Sequence, residues 1–355
     1  MTYFLHDVLR QPDELQRVIQ YFYVEGRPAL EDAVAVVRSA SHVYVTGIGS
    51  SWHAALNAKS LFHEGGLPVH SQDASELLHF DSLPAQSVII AISRTGRSAE
   101  IARLLPKARS SGAAVIGITN SADGPLAQEA EIPIIVPVGF DHAISVNTYS
   151  TLSAAAGALA TAALGSFDAS LVDALDRAVG EAAQALPGWQ EQIADSRWPA
   201  SRPVCYFLAR GPSLGSCHEA RLLWEEGVKL PATALGTGGF RHGSQEIIAR
   251  NMRFALWIDG RRMRDQDLAV ARDLRHLGAF VMLIGQDLPG DAGDLVFQLP
   301  IVPPEWQFLI DIMPMQLMAD HMARLSGGDC DSFRICSYIV EDEYGLLRDQ
   351  QTRGV

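Results

Sequence analysis

Two sets of residues in this chain have the types and spacing to do chemistry. The first is Ser93-Arg-Thr-Gly-Arg-Ser98, which stands between the apolar run Ser87-Val-Ile-Ile-Ala-Ile92 and a helical stretch from Glu100 to Ala108. A strand, a hydroxyl-rich glycine turn and a helix start bring unpaired first-turn amides, a positive dipole end and several hydroxyls to one point. Arg94 and Arg97 add positive charge. Such a turn can seat a phosphate monoester, and taken alone it also reads as a capped strand-to-helix turn with nothing bound. A related turn, Gly47-Ile-Gly-Ser-Ser51, offers Ser50 and Ser51 beside Gly49 as further hydroxyl donors to a sugar or its phosphate. It also resembles a dinucleotide fingerprint, but Trp52 stands where close helix–strand packing needs a small residue.

The second set could move protons. In Cys217-His-Glu-Ala-Arg-Leu-Leu-Trp-Glu-Glu226, helical spacing puts Glu219, Leu222, Leu223 and Glu226 on one face. A carboxylate at the edge of an apolar face loses hydration, which raises its pKa toward that of a useful base at neutral pH. Glu226 also fits a solvated helix end. His242 lies in Leu235-Gly-Thr-Gly-Gly-Phe-Arg-His-Gly-Ser-Gln-Glu246, where the glycines permit close backbone approach to a ligand. Ser244 and Glu246 suggest a helix start just beyond, where an imidazole tends to stay neutral and can shuttle a proton. A loop histidine bonded to backbone is the competing reading.

These residues need a frame to hold them, and the apolar pattern supplies one. Helical periodicity runs from about Asp13 to Ala40, broken at Gly26-Arg-Pro28. From Val43 onward, short β-branched strands alternate with helices, the rhythm of a parallel sheet covered on both faces, with ligands at the carboxyl ends of its strands. An Ala-rich helical region from Ser145 to about Ala185 follows, then a looser crossing from Trp189 to Pro203. The rhythm then repeats: Gly49 pairs with Gly211 and Gly65 with Gly227, a constant offset of 162. Asp259-Gly-Arg-Arg262 stands where the first copy has its hydroxyl loop. An aspartate there repels phosphate, so the anion is expected in the first copy only. An apolar, Met-rich helix from Glu305 to Leu325 and an irregular end complete the chain.

The expected organisation is N-terminal helices over 1–40, a first domain over 41–165, a helical connector over 166–200, a second domain over 201–326 and a tail over 327–355. At 355 residues the chain is long enough for two domains, each with its own core. Charged residues make up 19% and the net charge is −13, which argues against a nucleic-acid surface. The N-terminus lacks the apolar length of a signal peptide, and no run reaches the ~18 apolar residues of a membrane span. The expectation is a cytoplasmic protein that uses neither membrane nor nucleic acid. Its four cysteines lack zinc spacing and read as reduced, mostly buried thiols, with no metal and no cofactor expected.

Together these stretches resemble the sugar isomerase (SIS) family of phosphosugar-binding proteins, over roughly Ser41 to Val340. The sequence is similar to the isomerase half of glucosamine-6-phosphate synthase and to stand-alone aminosugar-phosphate deaminases and fructosamine-phosphate deglycases. Ser93-Arg-Thr-Gly-Arg-Ser98 resembles the family's Ser-x-Ser-Gly-x-Thr phosphate loop, and Gly49-Ser-Ser51 its Gly-Thr-Ser turn. The resemblance implies an α/β fold of two tandem SIS domains, each a parallel five-stranded sheet flanked by helices in a flavodoxin-like three-layer sandwich. It implies that Ser51, Ser93, Thr95 and Ser98 hold phosphate, that Arg94 contributes its amide, and that the Ser145-Val-Asn-Thr148 loop touches ligand through Asn147. Glu219 to Glu226 resembles the family's glutamate helix, and Phe240-Arg-His-Gly243 its Lys/Arg-His-Gly loop. Glu226 would then move a proton between C1 and C2. His242 would open the sugar ring from the neighbouring subunit of a homodimer, with sites at the subunit interface.

The departures bear on substrate. No glutamine amidotransferase segment precedes the unit in this sequence, so glutamine-derived ammonia is not expected to take part. The synthase carries a lysine on the glutamate helix where this chain has Leu223, and a Schiff-base lysine near its end where alignment places Tyr338; Arg334 is retained. The deglycase relatives manage with a Glu/His pair because their substrate already carries an amine at C1. The sequence therefore points to a 6-phosphorylated amino sugar or fructosamine. The alternatives are plain aldose–ketose isomerisation of a phosphosugar and a non-catalytic phosphosugar sensor.

Overall fold

The computed structural model describes residues 1–346; positions 347–355 of the expected tail lie outside them. Two helices, α1 (Tyr3–Tyr23) and α2 (Arg27–Ser39), lead into β1 (His42–Thr46), α3 (Ser50–Glu64), β2 (His70–Ser71), α4 (Ala74–His79), β3 (Ser87–Ile92), α5 (Ala99–Ser111), β4 (Ala114–Thr119), α6 (Pro125–Glu129) and β5 (Ile132–Ile135). Two long helices, α7 (Asn147–Ala163) and α8 (Ala169–Asp195), connect to the second set. That set comprises β6 (Cys205–Ala209), α9 (Leu214–Leu223), β7 (Ala232–Gly236), α10 (Thr237–Phe240), β8 (Arg253–Ile258), α11 (Arg264–His276), β9 (Phe280–Gly285), β10 (Leu295–Gln298) and α12 (Met313–Ser326).

Both sheets are five-stranded and wholly parallel, in the orders β2-β1-β3-β4-β5 and β10-β9-β8-β6-β7. These are one topology repeated, so the offset read from the glycines marks a structural duplication. Every residue of β3 and β8 is buried, as strands covered on both faces must be. The strand order reverses between β1 and β3, and again between β6 and β8. At such switch points the loops diverge and leave a crevice at the carboxyl edge.

Several expectations are corrected. The halves do not have separate cores: one apolar cluster runs from Phe4 through Val45, Tyr149 and Trp198 to Phe297 and Met322, and only the outer faces keep satellite clusters. The first helix begins at Tyr3 rather than Asp13, capped by the Thr2 hydroxyl, which accepts from the Leu5 amide. It runs through Pro12 because Phe4, Leu5, Val8, Leu15, Val18, Ile19 and Phe22 form one buried stripe on both sides of it. The loose crossing after Trp189 starts later, since burial of Trp189 and Ile193 keeps α8 helical to Asp195. The Met-rich helix is split into a 3-10 turn at Pro304–Leu309 and α12, with Pro314 in the first turn of α12. Among the described residues, no helix is long and apolar enough to cross a membrane.

Candidate active site

The crevice at the β1/β3 switch point becomes a cleft of about 260 Å³ because the second half closes over it. Its floor is the hydroxyl loop. Gly96 sits at φ +66°, and a Cβ there would lie 2.6 Å from the Leu126 Cβ, so both backbone and space demand glycine. Ser93 Oγ accepts from the Gly96 amide at 3.1 Å and Thr95 Oγ1 from the Arg97 amide at 3.3 Å. Each hydroxyl thereby keeps its own proton to donate into the cleft. Ser98 is the N-cap of α5 but makes no capping bond with its side chain, so its hydroxyl is available too. Gly49, at φ +58°, starts α3 and places Ser50 and Ser51 on the same cleft.

The walls are polar and come from distant segments. Asp141 accepts from the amides of Val146, Asn147 and Thr148 and from the Asn147 side chain, at 2.8–3.1 Å, and folds 141–148 into a tight loop. That loop presents Ser145 and Thr148 to the cleft, and the Thr148 hydroxyl is buried without a hydrogen-bond partner among the described residues. The tail supplies Phe333, Cys336, Ser337, Tyr338, Ile339 and Val340. It is anchored by Arg94, which donates to the Tyr338 carbonyl at 2.7 Å, and by the Ala99 amide, which donates to the Val340 carbonyl at 3.0 Å.

The second half contributes Leu222 and Glu226. The helix that was expected to carry both glutamates ends at Leu223 and passes into a π-helical turn, Trp224–Val228. The extra residue turns Glu226 toward the cleft while Glu219 stays buried, 1% exposed, against α3. There Glu219 Oε2 lies 2.7 Å from His53 Nδ1. The α3–α9 crossing is close because Gly215 has no side chain; a Cβ there would stand 2.1 Å from Asn57 Oδ1. Burial, then the charge of Glu219, pushes the Glu226 carboxyl up to about 8, against the opposing Lys229 and Arg94. Burial likewise raises Glu219 to about 8, opposed by the Ser50 hydroxyl, and lowers His53 to about 3. Burial thus disfavours charge on both members of the pair.

Of the residues singled out in the sequence, Gly49, Ser50, Ser51, Ser93, Arg94, Thr95, Ser98, Glu226 and Tyr338 meet in this one cleft. Four others do not. Asn147 is buried and spends its side-chain amide on the Asp7 carbonyl and Asp141, so it shapes the loop whose neighbours face the cleft. Arg334 lines a separate surface depression with Lys229 and Arg202. Arg97 is held by Asp123 outside the cleft. His242 is exposed, followed by a 3-10 turn rather than the expected helix, and does not line the cleft of its own chain. Sequence reasoning missed Glu100, Ser145, Thr148 and the tail residues around Ser337. Only Ser145 and Thr148 left a signal, as hydroxyls flanking the chosen Asn147.

The SIS domain family model matches residues 37–162. The chain is 25% identical over 337 residues to the glutamine–fructose-6-phosphate aminotransferase (isomerizing) of Pyrococcus horikoshii, covering 93% of this chain and 56% of that protein. It thus spans little more than half the length of this relative. Among solved structures, the C-terminal domain of the Francisella tularensis glucosamine-fructose-6-phosphate aminotransferase superposes with a TM-score of 0.81 at 19% identity, over 93% of this chain and 97% of that one. The Thermotoga maritima glucosamine-6-phosphate deaminase gives 0.78 at 20%, over 96% and 99%. At those identities the two structures establish a shared fold.

Proposed function

We propose that this chain, which carries a SIS domain over its first sheet, is an isomerase-type enzyme whose substrate is a 6-phosphorylated amino sugar or fructosamine. The observation that carries the reading is Glu226, a carboxyl raised toward neutrality and borne by the second half, facing a cleft floored by the hydroxyls of the first. The phosphate sits on Ser51, Ser93, Thr95 and Ser98. Its binding energy orients C1 and C2 toward Glu226. The ionised Glu226 takes a proton from one of these carbons and returns it to the other, so that aldose and ketose interconvert without a change in redox state. The proton shift leaves a carbon–nitrogen double bond; water adds to that carbon and the C–N bond breaks. His242 of the partner subunit, which first opens the ring, protonates the leaving nitrogen, in a homodimer with its sites at the subunit interface.

The cleft's lining favours a substrate that brings its own nitrogen. Leu223 is buried in the core, and Tyr338 offers Arg94 a backbone carbonyl. No lysine lines the cleft among the described residues, so no side-chain amine is placed there to form an imine. Supporting this reading, the relatives and fold neighbours include an aminotransferase and a deaminase of 6-phosphosugars.

The experiment is to incubate the protein with glucosamine 6-phosphate and with fructoselysine 6-phosphate and to follow amine release together with the ketose formed from the first and the aldose formed from the second. Turnover of one of them, lost in Glu226→Gln, is expected. Turnover of neither, or full activity in Glu226→Gln, overturns the reading. Mixing Glu226→Gln with His242→Asn chains tests the shared site: random reassociation restores roughly a quarter of the sites if each needs one residue from each chain. No recovery excludes a site shared across the interface, and full activity of His242→Asn alone places His242 outside the machinery.

A further inference from the structure

The duplication produces a second cleft. Its pseudo-symmetric position, between the loops after β6 and β8, holds a cavity of about 430 Å³ against about 260 Å³ for the first. Arg210 and Gly211 follow β6 as Ile48 and Gly49 follow β1, and Gly211 repeats the left-handed backbone of Gly49, with φ +53° against +58°. Asp259 follows β8 as Ser93 follows β3. The closing wall is exchanged as well. The first cleft is closed by Leu222 and Glu226 beyond the middle of α9, and the second by Ser60 and Glu64 at the end of α3, the same positions shifted by 162. Each of these two helices starts at one cleft and ends at the other.

The chemistry of the two clefts differs. Glu64, the counterpart of Glu226, is ion-paired to Arg262 at 2.8 Å and to Arg261 at 3.3 Å, so its carboxylate oxygens are engaged by guanidinium groups rather than turned toward a ligand carbon. Asp259, whose charge alone argued against an anion here, accepts from the Arg261 amide at 2.9 Å and lies 3.6 Å from its guanidinium. Arg210 donates through Nε to the buried Asp267, which fixes the guanidinium at the cleft with its other nitrogens unspent. Lys59 also lines the cleft and makes no hydrogen bond or ion pair among the described residues. Arg261 and Arg262 thus engage Glu64 and Asp259, with Arg261 also reaching Glu305 at 3.4 Å, while Lys59, unpaired among the described residues, lines a cavity with room for a phosphorylated metabolite.

We propose that this second cleft is a non-catalytic binding site for a small phosphomonoester, held by Lys59 and Arg210. The site rests on the duplicated geometry alone and does not depend on which reaction the first cleft runs.

The test uses inorganic phosphate as probe, in equilibrium dialysis with the full chain. Two phosphates per chain are expected. Lys59→Glu should remove one or weaken it by at least tenfold, and Thr95→Ala/Ser98→Ala should affect only the other. Lys59 is a half-buried surface residue, so the variant is expected to fold; Lys59→Ser repeats the measurement should melting show otherwise. No bound phosphate, or bound phosphate that neither Lys59 variant disturbs, overturns the proposal; a single phosphate lost with Lys59 and untouched by Thr95→Ala/Ser98→Ala supports it and counts against the first cleft instead. Loss of Glu226-dependent turnover with this second phosphate intact would defeat the proposed reaction and leave this site standing.

Discussion

With Glu226 as the proposed base, the pH dependence of turnover follows from how that carboxyl is housed. Its carboxyl is buried in a π-helical turn beside Glu219 and is raised from the ordinary 4.5 to about 8. A base must be ionised to act, so kcat/KM of the free enzyme scales with the ionised fraction of Glu226. That fraction is about nine tenths at pH 9, about a tenth at pH 7 and about a hundredth at pH 6 for a group titrating near 8. The expected profile rises nearly a hundredfold from pH 6 to 9, with slope near one. The substrate's own phosphate ionises near pH 6 and adds a separate inflection well below this limb. Because burial is the larger cause and Glu219 the next, Glu219→Gln should move the limb to lower pH without abolishing it. The assay is initial-rate ketose formation in constant-ionic-strength buffers from pH 5.5 to 9.5. A flat profile above pH 6, or a limb that Glu219→Gln leaves unmoved, would refute the reasoning that Glu226 is a desolvated base coupled to Glu219.

Three further outcomes are expected. Glu219 is raised to about 8 when folded against about 4.5 when unfolded, so the folded state holds the extra proton and stability falls as pH rises from 4.5 through 8. Glu219→Gln lacks that loss: its urea stability should match wild type near pH 4.5 and exceed it increasingly toward pH 9, with about 5 kcal/mol as a ceiling from a 3.5-unit shift. Parallel stability curves would contradict it. Asp141→Ala strands three backbone amides and the Asn147 amide, and should cost about 3–5 kcal/mol in urea denaturation; a loss below about 1 kcal/mol would show that the loop holds without its hub. Gly96→Ala meets both a left-handed backbone and the Leu126 side chain, and should cost on the order of 2–3 kcal/mol and abolish the thermal stabilisation conferred by phosphate at the first cleft. An unshifted melting curve would contradict the close packing seen there.

Much of this molecule was legible in the chain because its signals are local. The buried runs of β3 and β8, the alternation of strand and helix, the 162-residue offset and the hydroxyl loop all rest on neighbours within a few residues, where steric and hydrogen-bonding preferences act directly. The approximate place of the helix that carries Glu219 was legible for the same reason. Helical spacing, however, put Glu219 and Glu226 on one face, and the π-helical turn separated them, one against His53 and the other into the cleft. Likewise Asn147 and Thr148 read alike as polar loop residues, until Asp141 and Asp7 claimed the asparagine and left the threonine hydroxyl unpartnered.

Tertiary structure decided what must be assembled across distance. The tail reaches the hydroxyl loop through Arg94 and Ala99, more than two hundred residues away in sequence. The two halves merge into one core instead of two because α1, α7, α8 and α12 bury their stripes against both. The charge of Asp259, decisive when read alone, is offset by Arg261 once the loop is folded. A sequence determines which groups are available and how each short segment bends. Which of those groups are desolvated, paired or left facing a cavity depends on burial and on partners brought from elsewhere in the chain, and these exist only in the folded state.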